Sequence, residues 1–184
     1  MKNSISAITK FNTIESFETE RLLARKLSEN DFDLILPTYQ NEQVMQTLGG
    51  VISKEDAYKK FKWNLERWEQ QGFGSWLWFD KVSNQFVGRA GLRAMELENH
   101  PVIEVGYILL PEFWNQGLAT EMAKASVEIG FKHLKLKELV AFTLLSNQAS
   151  QHVMEKMGFK FSHHFIYEGD PHVLYRLTVE DYSV

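Results

Sequence analysis

Apolar and polar positions alternate with two different periods along this chain, and the switches between them mark its elements. Residues 17–27 hold a short apolar run, which predicts a first strand. Ser28, with Asp31 three residues on, opens a helix over about 29–39, and Pro37 marks its last turn or a kink. After the break at Gly49-Gly50, Ser53 and Asp56 open a second helix. Its apolar positions Tyr58, Phe61, Leu65 and Trp68 recur at helical spacing until Gly72. Residues 76–80 and 86–93 read as strands joined by a hairpin loop at 81–85. Gly88 and Gly91 in the second suggest a bulge or a close backbone approach. A loop at 98–101 leads to residues 102–110, a run of β-branched and aromatic residues stopped by Pro111. The next helix, 117–134, carries Leu118, Met122, Ala125 and Ile129 on one stripe and Glu121, Lys124, Glu128 and Lys132 on another. A strand at 138–143 and a helix ending at Met157 follow, closed by Gly158 as the residue after the cap. Two last strands, 159–166 and 172–177, flank a turn-rich loop at 167–171.

The order β-α-α-β-β-β-α-β-α-β-β is neither a pure parallel pattern nor a meander, so a mixed-sheet α+β class follows. Residues 1–16 are polar with weak periodicity and are expected to form a flexible arm; 17–184 reads as one domain. With 44% hydrophobic and 24% charged residues, the composition is that of an ordinary globular protein. No apolar run would span a bilayer and no signal-peptide pattern opens the chain, so no membrane partner and a cytoplasmic location are expected. The absence of Cys removes disulfides, thiolate metal sites and a cysteine acyl-enzyme, and agrees with a reducing compartment. A net charge of -4 offers no basic face to nucleic acid and is compatible with a cationic acceptor. The six His show no metal-ligand spacing, so no metal is expected.

The stretch that organises the rest is 102–121: a buried strand, a tight turn, and a helix start. Glycine and a small residue in Gln116-Gly117-Leu118-Ala119 let a ligand approach the backbone. The first amides of the helix have no internal partner and carry partial positive charge, so strand, turn and helix start together make a phosphate cradle. This arrangement resembles the cofactor-binding core of the GNAT acetyltransferase superfamily, whose pattern is Gln/Arg-x-x-Gly-x-Gly/Ala. It falls here on Trp114-Asn115-Gln116-Gly117-Leu118-Ala119; the fourth and sixth positions match, and Trp114 departs from the first. Trp there, followed by Gly-x-Ala-Thr-Glu, resembles the branch containing the ribosomal-protein N-terminal acetyltransferases. Other features of that branch are Glu18-Thr19-Glu20-Arg21-Leu22, a Val-Gly-x-x-Gly-Leu strand at 87–92, and Asn147-x-x-Ser150 followed by Glu155-Lys156-Met157-Gly158-Phe159. The resemblance covers about 17–177. It implies a central, mostly antiparallel sheet of six or seven strands flanked by about four helices. It also implies acetyl-CoA as cosubstrate, and as acceptor an amine of a small molecule or a peptide N-terminus. It leaves room for a homodimer.

What the resemblance implies for single residues can be weighed against simpler roles. A backbone N–H near Ile108, Leu109 and Leu110 would hold the oxyanion where the central strand splays from its neighbour. The amides of Gln116, Gly117, Leu118, Ala119 and Thr120 would take the pyrophosphate. Asn147 would contact the pantetheine arm, or cap the helix that follows, or both. An attacking amine must be neutral, so a base is useful. Glu104, a carboxylate inside an apolar strand, is the leading candidate; the alternative is a structural pairing with Arg89 or Arg93. Glu168, in the loop bordering the family's acceptor site, is its rival. The Tyr that many members place one turn before Gly-Phe is Met154 here, which leaves Ser150 as the hydroxyl to protonate the leaving thiolate, or as a surface hydroxyl without a role. Phe73, Trp76 and Trp78, with Trp63 and Trp68, read as core, with one or two able to line an acceptor pocket. Two function classes remain: an N-acetyltransferase acting by direct transfer in a ternary complex, which the missing Cys favours over a thiol relay, and a non-catalytic acyl-CoA sensor.

Overall fold

The computed structural model describes residues 14–182. The expected N-terminal arm therefore lies outside the described residues, except for 14–16, and Ser16 already opens a strand. Strand β1 (Ser16–Glu18) turns tightly through Thr19, whose N–H donates to the Leu22 carbonyl, into β2 (Leu22–Lys26). The single strand expected at 17–27 is thus a small hairpin. A 3-10 turn (Glu29–Asp31) with a Ser28–Asp31 capping box leads to α1 (Phe32–Gln40), which carries Pro37 inside it. A short helix α2 (Glu42–Met45), capped by Asn41 and not foreseen, precedes α3 (Lys54–Gln71), capped by Ser53 as expected.

Strands β3 (Ser75–Asp80), β4 (Phe86–Leu97) and β5 (His100–Leu109) form a meander. The loop expected at 98–101 is a two-residue turn, with Glu98 and Asn99 both left-handed (φ 50° and 63°), so β4 and β5 pair over their whole length. Helix α4 (Leu118–Glu128) runs into a π-helical turn (Ile129–His133) and returns the chain to β6 (Glu138–Leu144). Then come α5 (Gln148–Lys156), β7 (Lys160–Tyr167), β8 (Asp170–Thr178) and α6 (Val179–Tyr182).

Among the described residues the eight strands form one sheet in the order β1-β2-β3-β4-β5-β6-β8-β7. Every neighbouring pair is antiparallel except β5 and β6, which are joined through α4 and parallel. The core lies on both faces. Trp68, Trp76 and Trp78 are within 2% of full burial, and each donates its indole N–H to a backbone carbonyl. Each ring removes about 200 Å² from water, roughly 5 kcal/mol of gross transfer free energy. The tryptophans at 68, 76 and 78 are therefore structural, whereas Trp63 remains exposed. No helix among the described residues is long and apolar enough to cross a membrane.

Candidate active site

The site begins where β5 leaves β6. The two strands register at one pair only, Glu104 with Val140. Beyond it they diverge, while β5 stays paired to β4 as far as Leu109. The Leu110 N–H continues that pairing by donating to the Val87 carbonyl at 2.9 Å. Backbone groups alternate sides along a strand, so the N–H groups of Ile108 and Leu110 turn toward β4 and those of Tyr107 and Leu109 toward the split. This narrows the expected trio: Leu109 presents an amide to the split, and Ile108 and Leu110 do not. The Leu109 carbonyl is taken by the Trp114 indole N–H at 2.9 Å. Trp114, the departure from the sequence pattern, thus braces the end of the strand.

Past β5, a 3-10 turn (Pro111–Phe113) leads to a loop with two left-handed residues, Asn115 (φ 60°) and Gly117 (φ 76°). Gly117 is the N-cap of α4 and supplies no side chain to cap it. The first N–H to reach back is that of Glu121, to the Gly117 carbonyl at 3.1 Å. The amides of Leu118, Ala119 and Thr120 therefore have no acceptor inside the helix and face outward with the dipole behind them. The Gln116 side chain folds back onto the Glu112 carbonyl at 2.8 Å, leaving its backbone at the rim. A cavity of about 760 Å³ flanks the β1 side of α4, from Gly117 and Thr120 past Lys124 to His133, with Glu18, Glu20, Glu121 and Glu128 in its wall. It is therefore the outward amides and not this cavity that suit a phosphate-bearing ligand at Gln116–Thr120.

Arg21 holds this loop in place, a residue that sequence reasoning left as part of an opening motif. Its Nη1 donates to the Gln116 carbonyl at 2.8 Å and its Nε to Glu121 Oε2 at 2.7 Å. The other Glu121 oxygen accepts from Thr19 Oγ1 at 2.6 Å and from the Arg21 N–H at 2.9 Å. Burial pushes the Glu121 carboxyl up, but these donors outweigh it and hold the group below its ordinary 4.5. The Thr19–Arg21 turn and the start of α4 are thereby locked together across the chain.

Alternation divides β5 between two faces. Tyr107 projects toward α5. Its hydroxyl lies 2.9 Å from Ser150 Oγ and 3.0 Å from the Ser150 carbonyl. Burial raises the Tyr107 pKa to about 12, a nearby Glu104 charge adds to the rise, and the Ser150 hydrogen bond opposes it. The hydroxyl is therefore protonated at any physiological pH. Sequence reasoning missed Tyr107 because it sits in a run of core residues; the signal was a Tyr in the Glu-x-Gly-Tyr strand with no polar neighbour on its own face. Asn147 caps α5, its side-chain carbonyl accepting from the Ser150 N–H at 3.1 Å. Met154 is core, 2% exposed.

Glu104 projects to the opposite face, 8% exposed, and accepts from Arg93 Nε at 2.6 Å through Oε2. Of the two pairings open to it, the structure forms the one directly across the β4–β5 register. No hydrogen bond to its Oε1 is made among the described residues. Next along this face is Gly106. A Cβ placed there would meet nothing nearer than Glu104 Oε2, at 4.0 Å, so the carboxylate borders an open space on the strand. Glu168 is exposed on the two-residue β7–β8 turn, where it and Gly169 are both left-handed (φ 51° and 92°). It lies close enough to Arg93 to support that residue's charge.

The family described as Acetyltransferase (GNAT) domain matches residues 21–160, which takes in the site from Arg21 to Met154 and leaves out Thr19 and Glu168. The chain belongs to the GNAT acetyltransferase family. It is an acyltransferase, and its relatives agree with that class. The N-acetyltransferase YoaA of Bacillus subtilis is 28% identical over 145 residues, covering 78% of this chain and 81% of the relative. The GNAT-family acetyltransferase from Bacillus anthracis superposes with a TM-score of 0.76 at 25% identity, over 90% of this chain and 99% of that one. The spermidine N-acetyltransferase of Vibrio cholerae, solved with CoA and spermine, shares the fold. Its TM-score is 0.74 at 17% identity, over 90% of this chain and all (100%) of that one.

Proposed function

We propose that this GNAT protein transfers an acetyl group from acetyl-CoA directly to a primary amine, with both substrates bound together. The observation that carries the reading is the parting of β5 from β6 immediately beside the uncapped start of α4. A pantetheine arm is amide-rich and can pair with the strand edge at Tyr107 while its pyrophosphate takes the Gln116–Thr120 amides. That the Vibrio cholerae enzyme of the same fold binds CoA supports this donor.

The steps then follow from the residues. An aliphatic amine with a pKa of ~10.4 is mostly protonated at neutral pH, and an α-amine at ~7.7–8.0 partly so. Glu104 Oε1 removes that proton, through water, since Glu104 and Leu109 are five residues apart at ~3.3 Å each. The amine nitrogen attacks the thioester carbon, and the carbonyl oxygen takes up the electron pair against the Leu109 N–H. Collapse re-forms the carbonyl, breaks the C–S bond and releases the thiolate of CoA, and the nitrogen sheds its second proton to water as the amide forms. Ser150 Oγ–H protonates the sulfur, Tyr107 swings its donation from the Ser150 carbonyl to Ser150 Oγ to replace that proton, and the proton shed by nitrogen returns through water to Tyr107. The products are the acetamide and CoA.

Initial rates over a grid of acetyl-CoA and amine concentrations test this. Direct transfer gives intersecting double-reciprocal lines and no acetylated enzyme in the absence of amine. Parallel lines would overturn the ternary complex. CoA binding without CoA release for any amine would make the protein a sensor.

A further inference from the structure

The face of the sheet that carries Glu104 also carries an unbalanced group of arginines. Arg89 and Arg93 sit on β4 with Gly91 between them, opposite Ile108, Glu104 and Gly106 of β5. Helix α3 brings Arg67 over the same face, near enough to Arg93 that their like charges interact. Only Arg93 has a carboxylate. Arg67 and Arg89 make no ion pair and no hydrogen bond among the described residues, and the Nε–H of each is buried without a partner. A buried guanidinium donor left unsatisfied is costly, so the pair marks a place where an acceptor is missing.

Both guanidiniums are positioned by rings. Arg67 lies over the Trp63 ring, 4.2 Å from its centroid, and Arg89 over the Tyr39 ring at 4.7 Å. A cation–ring contact restrains a guanidinium without using its N–H donors, which leaves them for an anion. Burial, and then the Arg93 charge, lower the Arg67 pKa, which shows how poorly this charge is compensated inside the protein. Along the paired strands, the open space at Gly106 lies between Arg89 and Arg93 and is bordered by Glu104. The phosphates of CoA have their own cradle at the start of α4, beyond the far end of β5. Tyr107 and Ser150 sit on the opposite face, so these arginines look onto the acceptor side.

We infer that the acceptor is an amine carrying an anionic group, a carboxylate or phosphate, which Arg67 and Arg89 bind while the body of the acceptor lies over Gly106 and its amine reaches the thioester at Leu109, with water between it and Glu104. This rests on the acetyl-transfer reading and names its substrate class. The overall negative charge is compatible with a cationic acceptor, but this face favours an anionic one. Local charge on the face decides, and here it is positive.

The experiment uses matched acceptors with saturating acetyl-CoA, read as CoA release. The pairs are a dipeptide and its C-terminal amide, and phosphoethanolamine and ethanolamine; spermidine is the cationic arm. Wild type should favour an anionic member at least ~10-fold in kcat/KM, mostly through KM, and whichever pair shows the preference tells carboxylate from phosphate. In Arg67→Gln and Arg89→Gln the preference should fall toward unity through loss on the anionic member, with melting temperature and CoA affinity retained. Arg89→Lys should restore only part of it, since a lysine keeps the charge but not the fork. Equal use of both members, or a preference for spermidine, by wild type would overturn the inference and leave acetyl transfer standing. Calorimetric binding of the same pairs to the CoA complex makes the test independent of turnover. An anion preference in binding without CoA release would instead sink acetyl transfer and leave the anion site in place.

Discussion

Replacing Gly117 tests the phosphate cradle with charge alone, if Asp and Asn are compared. The position is left-handed (φ 76°), which costs an L-residue ~1 kcal/mol, less for Asp and Asn than for most. The space is open: a Cβ there would meet only Arg21 Nη2, at 3.6 Å. Both variants should therefore fold, each with a melting temperature lower by ~2–4 °C. They differ in what they place beside the helix start. An Asp carboxylate would pair with Arg21 and occupy the field meant for the ligand. At ~5 Å from a phosphate and an effective dielectric of ~20, one unit of like charge costs ~3 kcal/mol, about two decades in Kd. Isothermal titration with CoA should give an Asp variant ~100-fold weaker than the Asn variant, and the gap should narrow at 1 M salt, where the Debye length is ~3 Å. Equal affinity of the two variants would mean that no phosphate sits near residue 117. Affinity equal to wild type in both would move the CoA site elsewhere.

Other perturbations probe the chemistry and the frame. Glu104→Gln should lower kcat/KM ~100- to 10,000-fold, with CoA affinity kept and the loss shrinking as pH rises and more amine is neutral; retained activity there with loss in Glu168→Gln would name the other carboxylate. Ser150→Ala should cost less, ~10-fold, and adding Tyr107→Phe should cost little more, because the two hydroxyls act as one unit; fully additive losses would refute the relay. Glu121 is depressed below 4.5, so it contributes stability above that pH which is lost as pH falls through its folded value; Glu121→Gln should flatten the acid limb of the melting-temperature curve. Gly91→Ala, whose Cβ would lie 2.2 Å from the Gly74 carbonyl oxygen, should cost ~2 kcal/mol and ~4–8 °C, while Gly106→Ala should melt as wild type and impair acceptor KM.

Most of the elements, and the turn at Gly117 that opens α4, were legible in the sequence alone. Helical stripes, Ser53, the Gly117 break and the glycine at 158 are local signals, set by side-chain period and backbone sterics within a few residues, and each reads the same in the folded chain. Boundaries failed where a tight turn replaced a loop or a continuous strand: Glu98-Asn99 and Glu20-Arg21 carry no glycine at the turn, so nothing local announced a two-residue reversal. What the tertiary structure alone decided is pairing. Whether Glu104 meets Arg89 or Arg93 depends on the β4–β5 register, and register is fixed by the turn geometry and the buried face together. Whether Ile108, Leu109 or Leu110 presents a free amide depends on where β6 departs. Tyr107 meets Ser150, and Arg21 meets Glu121, across separations of 43 and 100 residues. Such contacts are products of the whole sheet, since a strand's alternation says which face a side chain takes and nothing of what waits there.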